Sequence, residues 1–228
     1  MLPVICLVTP RQQPSADADR VLVERIRAAA RAGVDLVQIR QPDFEGRALT
    51  QLVEESVAAV GGTRARVLVN DRVDVALAAG AHGVHLRGDS VPARRVRVIA
   101  PAGFLIGRSV HSANEAERVV DDGGLDYLIF GTVFSTSSKP GAPGSGPPSL
   151  AAACAAVPVP VLAIGGMTPD RLGIVASSGA AGFAAINLFA DCDVSSFTSI
   201  VDRCTRAFDT SNDVPWYGSS SVDRSNEL

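Results

Sequence analysis

Eight short apolar, β-branched runs recur along the chain, with stretches of helical periodicity between successive runs: VICLVT (4–9), VDLVQIR (34–40), VLVN (67–70), GVHL (83–86), FLIGRS (104–109), DYLIFG (126–131), VPVLAIGG (159–166) and GFAAIN (182–187). Between them lie Ala-, Leu- and Arg-rich stretches such as DADRVLVERIRAAARAG, GRALTQLVEESVAAV, SANEAERVVDDGG and TPDRLGIVASSG. Their apolar residues recur at helical rather than strand spacing. Strands that barely alternate with polar residues suit a sheet covered on both faces, and strand-then-helix repetition demands parallel neighbours joined by right-handed crossovers. Eight such units are predicted to close into an α/β fold, the (β/α)8 TIM barrel. An open doubly wound sheet is the competing architecture, but no Gly-x-Gly-x-x-Gly follows the first run.

With 228 residues, 46% hydrophobic and 20% charged, the chain can bury one large core, so residues 1–209 are expected to form a single barrel domain. The polar, Ser-rich segment 210–228 cannot repay the entropy of ordering and is expected to be disordered. A net charge of −3 with no long basic run argues against nucleic acid as a partner. No run approaches the roughly 18–20 apolar residues of a membrane helix, and MLPVICLVTPRQQP lacks a basic leader and a small-residue cleavage site. A cytoplasmic protein with no membrane partner is expected; a homo-oligomer is compatible with these features. Cys6, Cys154, Cys192 and Cys204 show no C-x-x-C spacing and read as reduced thiols.

In a barrel of this kind function gathers where the C-terminal ends of the strands share one mouth. That rule selects Gln38 and Arg40, Asn70 and Asp71, His85 and Asp89, Ser109 and His111, Thr132, Thr136, Ser138 and Lys139, Gly165 and Gly166, and Ala185, Ile186 and Asn187. In AIGGMTPD (163–170) two glycines permit close backbone approach, Thr168 suits an N-cap and Pro169 a first helical position. A phosphate is the expected ligand there, with Ala185 to Asn187 as the second half of its site. The long Gly-, Pro- and Ser-rich loop after the sixth run reads as a lid whose Thr136, Ser138 and Lys139 meet a second anionic group. Arg40 is expected to face the mouth, since a guanidinium is seldom buried unpaired. Asp71 is expected either to bind Mg²⁺ or to pair with Arg40 or Arg72. His85 and His111 are expected to titrate near neutrality and move protons, whereas His82, ahead of its strand, is expected to be structural.

Gln38-Ile39-Arg40, NDRVDVALAAGAHGVHL (70–86), GRSVHS (107–112), DYLIFGTVFSTSSKPG (126–141) and AIGGMTPDRL (163–172) together resemble the thiamine phosphate synthase/TenI family. The resemblance runs from about Val4 to Phe189. It implies a TIM barrel of thiamine biosynthesis acting on a small thiazole phosphate. The TenI-like branch, by its GRSVHS, Phe-Gly and GGMTPDRL matches, implies an isomerase: thiazole tautomerisation by proton transfer through His85, His111 or Thr132, with no cofactor. The synthase branch implies a transferase joining hydroxymethylpyrimidine diphosphate to the thiazole phosphate, with Mg²⁺ on Asp71 and Asp89. A non-catalytic member binding thiazole or thiamine phosphates is the third possibility. Three departures bear on the choice. Pro42 stands where the synthase pattern has a lysine, Arg87-Gly88-Asp89-Ser90 stands for its Gly-Gln-Glu-Asp, and Thr132 stands where the tautomerase has a histidine.

Overall fold

Each of the eight apolar runs forms a strand in the computed structural model, which describes residues 2–136 and 143–208. Ser138, Lys139 and the segment 210–228 lie outside the described residues. The strands are β1 (Val4–Val8), β2 (Leu36–Ile39), β3 (Arg66–Asn70), β4 (Gly83–Leu86), β5 (Leu105–Val110), β6 (Tyr127–Gly131), β7 (Val161–Ile164) and β8 (Gly182–Ala185). They pair in parallel in chain order, and β8 closes on β1 with Ile5 opposite Phe183 and Cys6 opposite Ala184. The doubly wound alternative is thereby excluded.

Helices α1 (Ala16–Ala32), α2 (Gly46–Ala59), α3 (Val73–Ala78), α4 (Ala93–Ile99), α5 (Ala113–Asp121), α6 (Gly146–Ala156) and α7 (Leu172–Ser177) lie outside the strands, followed by α8 (Asn187–Ala190) and α9 (Phe197–Ala207). In α1 the buried Leu22, Val23, Ile26, Ala29 and Ala30 form one stripe, the spacing that lets a helix turn a single apolar face to a sheet. It stops at Gly33, whose φ of 102° is accessible to glycine and whose N–H bonds the last carbonyls. Two cores result, because successive strand residues point to opposite sides. Val37, Val69, Val84, Ile106 and Phe130 face the helices, while Cys6, Leu36, Leu68, Leu105, Tyr127 and Leu162 fill the barrel interior. The alternation that fills the interior also decides which later residues look into the mouth. Among the described residues no helix is long and apolar enough to cross a membrane.

The last two helices were not anticipated. α9 nevertheless carries a readable signal, since Phe197, Ile200, Val201 and Cys204 repeat at helical spacing and are buried, packing the helix against α1 and α7.

Candidate active site

Continuing the inward alternation past the apolar floor brings polar side chains to the C-terminal ends of the strands. They surround a cavity of about 900 Å³ lined by residues from all eight units, the expected Gln38, Arg40, Asn70, His85, Asp89, Ser109, His111, Thr132, Thr136, Gly165, Gly166, Ala185, Ile186 and Asn187 among them. That size suits a ligand pocket. Asp71 is not in this lining.

On the floor, Gln38 Nε2 donates to Asn70 Oδ1 at 2.9 Å. Gln38 Oε1 and the Asn70 amide hydrogens then remain for a ligand. Beside this pair, Ser109 Oγ lies 2.8 Å from His85 Nε2, and His85 Nδ1 lies 3.1 Å from the hydroxyl of Tyr127. His85 is 2% exposed. Burial, aided by the nearby Arg108 cation, pushes its imidazole down to about 3. The expectation that His85 titrates near neutrality is therefore corrected: desolvation first, then the Arg108 cation, favour its neutral form. Space for the Tyr127 phenol exists because residue 107 has no Cβ; one placed there would lie 2.0 Å from Tyr127 Cζ.

His111 stands differently, exposed at the rim. A capping box fixes its backbone: Ser112 accepts from the Glu115 N–H at 3.1 Å, and Glu115 reaches back to accept from the His111 N–H at 2.8 Å. Its Nδ1 bonds the Gly131 carbonyl. A carbonyl only accepts, so Nδ1 carries a proton and the neutral ring has its lone pair on Nε2. The peptide carbonyl thus places His111 next to Thr132, on the same cavity wall.

Arg40 faces the mouth as expected. It is half-buried, and its guanidinium has no hydrogen-bond partner among the described residues. Desolvation first, then the neighbouring cations Arg11 and Arg87, lower its pKa. Across the barrel, Gly165 and Gly166 take φ values of 104° and 63°. At Gly165 a Cβ would strike Thr132 at 2.4 Å, and at Gly166 it would strike the Ser135 carbonyl at 2.6 Å. Only glycine fits this turn. Its outward carbonyls are engaged, Gly165 O by the Phe134 N–H at 3.2 Å and Gly166 O by Arg171 Nη1 at 2.6 Å. The N–H groups of Gly166 and Met167 have no partner among the described residues.

The carboxylates do not form the expected metal centre. Asp71 pairs with neither Arg40 nor Arg72, since Arg72 forks onto Asp74 at 2.7 and 2.9 Å. One Asp71 oxygen accepts from Ser90 Oγ and the other faces Arg87 at 3.6 Å. Both Asp89 oxygens are taken by Arg87, at 3.0 and 2.5 Å. A single guanidinium thus stands between the two carboxylates, and no group of three or more metal-binding side chains exists among the described residues. Mg²⁺ would have to displace Arg87 first. These residues as arranged do not fit the ion, because the Arg87 cation already occupies the space between the two carboxylates.

Three contributors went unseen in the sequence. Tyr127 sits inside the apolar run DYLIFG with nothing to single it out. Arg108, 6% exposed, donates to the carbonyls of Gly88, Ser90 and Val91 at 2.6–3.0 Å and so fixes the loop that carries Arg87 and Asp89. Arg171 stacks 4.7 Å over the Phe134 ring while gripping the glycine turn. A charged residue inside an apolar run was the only available signal for Arg108. His82 is structural as expected, its Nδ1 accepting from the Val67 N–H at 3.0 Å.

Residues 5–189 match the family model described as thiamine monophosphate synthase. The chain belongs to that family. It is 36% identical over 186 residues to the thiamine-phosphate synthase of Chlorobium luteolum, covering 81% of this chain and 84% of the relative. It is 40% identical over 169 residues to that of Methanoculleus marisnigri, covering 74% and 80%. The solved thiamine phosphate pyrophosphorylase from Pyrococcus furiosus superposes with a TM-score of 0.76 at 30% identity, over 89% of this chain and 95% of that one. A 3-hexulose-6-phosphate synthase, at 16% identity and a TM-score of 0.69, shares the fold alone. Membership in the thiamine monophosphate synthase family makes this an enzyme fold of thiamine biosynthesis.

Proposed function

We propose that this family member is a transferase, joining hydroxymethylpyrimidine diphosphate to thiazole phosphate and releasing diphosphate, rather than the tautomerase that the motifs first favour. The observation that carries this reading is the two-ended mouth. The unpartnered Arg40 guanidinium on the β2 side and the glycine turn after β7 attract anions from facing sides of one cavity. A transfer between two phosphorylated substrates needs both ends; a tautomerase needs one. The names of the curated relatives support the same choice.

In this reading the Gln38 and Asn70 amides, one acceptor and one donor, hold the edge of the pyrimidine. Arg40 stabilises the negative charge that develops as diphosphate departs, which a fixed cation in a desolvated site does without reorganising. The glycine turn and Ala185 to Asn187 hold the thiazole phosphate. No step is routed through a metal, since Asp71 and Asp89 are engaged with Arg87 and Ser90.

Sequential calorimetric titration tests the two-ended mouth. Thiazole phosphate is added to saturation, then inorganic diphosphate; one equivalent of each binding together is expected. Competition for a single site would contradict the transferase reading. It would favour the second one, proton transfer on a thiazole phosphate by His111, whose Nε2 lone pair is set by the Gly131 carbonyl.

A further inference from the structure

Where β1 and β2 end, the join between them is continued by side chains. The Thr9 N–H still donates to the Gln38 carbonyl at 3.0 Å, but one step further the Arg40 N–H donates to the hydroxyl oxygen of Thr9 at 2.9 Å. The neighbouring Gln41 side chain then reaches back to the β1–α1 loop. Its Nε2 donates to the Pro10 carbonyl at 2.8 Å and to Thr9 Oγ1 at 3.3 Å, and its Oε1 accepts from the Gln12 N–H at 3.1 Å. Only this orientation of the amide serves all three partners, since reversal would set an NH2 against an N–H and an oxygen against a carbonyl.

Thr9 is fully buried and Gln41 is 4% exposed. Burying two polar side chains costs free energy unless their bonds are complete, and apolar residues of similar size would leave the Arg40 and Gln12 N–H groups unmet. The Arg11–Asp43 pair joins the same two loops at 2.9 and 3.1 Å. Both of its side chains are half-exposed, and a pair of that kind is screened by water and contributes little. The buried Thr9–Gln41 knot is therefore what fixes one loop to the other.

Neither Thr9 nor Gln41 is in the cavity lining, whereas Gln38, Arg40 and Pro42 are. With a proline at 42, Arg40 is the one cation of the segment 38–42, so its placement decides what this side of the mouth can hold. An arginine on a loose backbone loses freedom when it grips a ligand; on a backbone already fixed there is less to lose. We propose that Thr9 and Gln41 are positioning residues that hold the Arg40 backbone, from behind the cavity wall, in the place from which its guanidinium meets a diphosphate group. This rests on the reading that the Arg40 side of the mouth binds diphosphate.

The test is calorimetric titration of the full chain with inorganic diphosphate and, separately, with thiazole phosphate, on the wild type and on Thr9→Val, Thr9→Ser and Gln41→Met. Diphosphate affinity is expected to fall roughly three- to tenfold in Thr9→Val and in Gln41→Met, the worth of a neutral hydrogen bond. Thr9→Ser keeps the hydroxyl and is expected to bind like the wild type. Thiazole phosphate, held at the opposite end, is expected to bind all four proteins alike. Adding Thr9→Val to Arg40→Met should cause no further loss, because the group that Thr9 places is gone. A general loosening of the barrel would instead weaken both ligands and add to Arg40→Met, and either result would overturn the proposal. Undiminished diphosphate affinity in Thr9→Val or in Gln41→Met would also overturn it and would leave the transferase reading standing. Absence of diphosphate binding to the wild type would overturn both.

Discussion

Substituting Gly107→Ala adds a single methyl group at the most crowded point of the barrel interior. The new Cβ would lie 2.0 Å from Tyr127 Cζ, 2.3 Å from Cε1 and 2.4 Å from Oη, against a comfortable carbon–carbon separation of roughly 3.5–4.0 Å. The phenol is completely buried within a closed ring of strands. Overpacking of this kind costs about 1–3 kcal/mol. Displacing the ring also breaks the 3.1 Å contact with His85, and leaving buried polar partners unmet adds about 1–3 kcal/mol. A total near 3–4 kcal/mol should lower the melting temperature by roughly 6–16 °C, at about 2–4 °C per kcal/mol for a domain of this size. Thermal unfolding followed by circular dichroism measures the shift, and urea unfolding the free energy. In a Tyr127→Leu background, where the phenol is gone, Gly107→Ala should cost under about 1 kcal/mol, revealing a coupling of about 2 kcal/mol or more between the sites. A Gly107→Ala protein as stable as the wild type, or strictly additive substitutions, would refute this account of the interior.

Arg40→Met keeps the length of the side chain but removes the cation, and diphosphate affinity should drop roughly tenfold to a hundredfold by calorimetry, the worth of hydrogen bonds to a charged group. Unchanged binding would show that the guanidinium does not meet the ligand. Burial lowers the His85 pKa from 6.5 to about 3. The unfolded chain therefore takes up a proton between those values that the folded chain refuses, and stability present above pH 6.5 is lost as the pH falls. The contribution is up to about 1.4 kcal/mol per pH unit; His85→Gln should unfold with a visibly shallower pH dependence between pH 7 and 5, and equal slopes would count against a neutral buried imidazole. Arg87→Ala releases both Asp89 oxygens and one side of Asp71. Binding of Mn²⁺, followed by electron paramagnetic resonance as a stand-in for Mg²⁺, should tighten in this variant rather than weaken, and no change would show that Arg87 does not compete with a cation.

The barrel was readable because its signals are local. Eight β-branched runs and the helical stripes between them follow from strand and helix periodicity, and the C-terminal mouth then follows from topology, which is why Gln38, Arg40, Ser109, His111 and the glycine turn could be named from position alone. What stayed hidden depends on neighbours distant in sequence. Whether His85 titrates is decided by the burial around it and by Arg108, neither visible in GVHL. That Asp71 meets Ser90 and Arg87 rather than Arg40 depends on the path of the loop after β4, which Arg108 fixes from β5. Asp71 itself is held at a φ of 63°, a conformation that an aspartate tolerates but that no pattern announces. The phenol of Tyr127 has meaning only once residue 107 is known to lie beside it in the neighbouring strand, and a strand aromatic by itself reads as core.

The most direct measurement of the central claim is product formation from hydroxymethylpyrimidine diphosphate and thiazole phosphate by the purified protein, with mass detection of thiamine phosphate, run in parallel with Mg²⁺ and with a chelator. Thiamine phosphate released with one equivalent of diphosphate, and lost in Arg40→Met, is the expected result. Binding of both ligands without any product, under either condition, would contradict it.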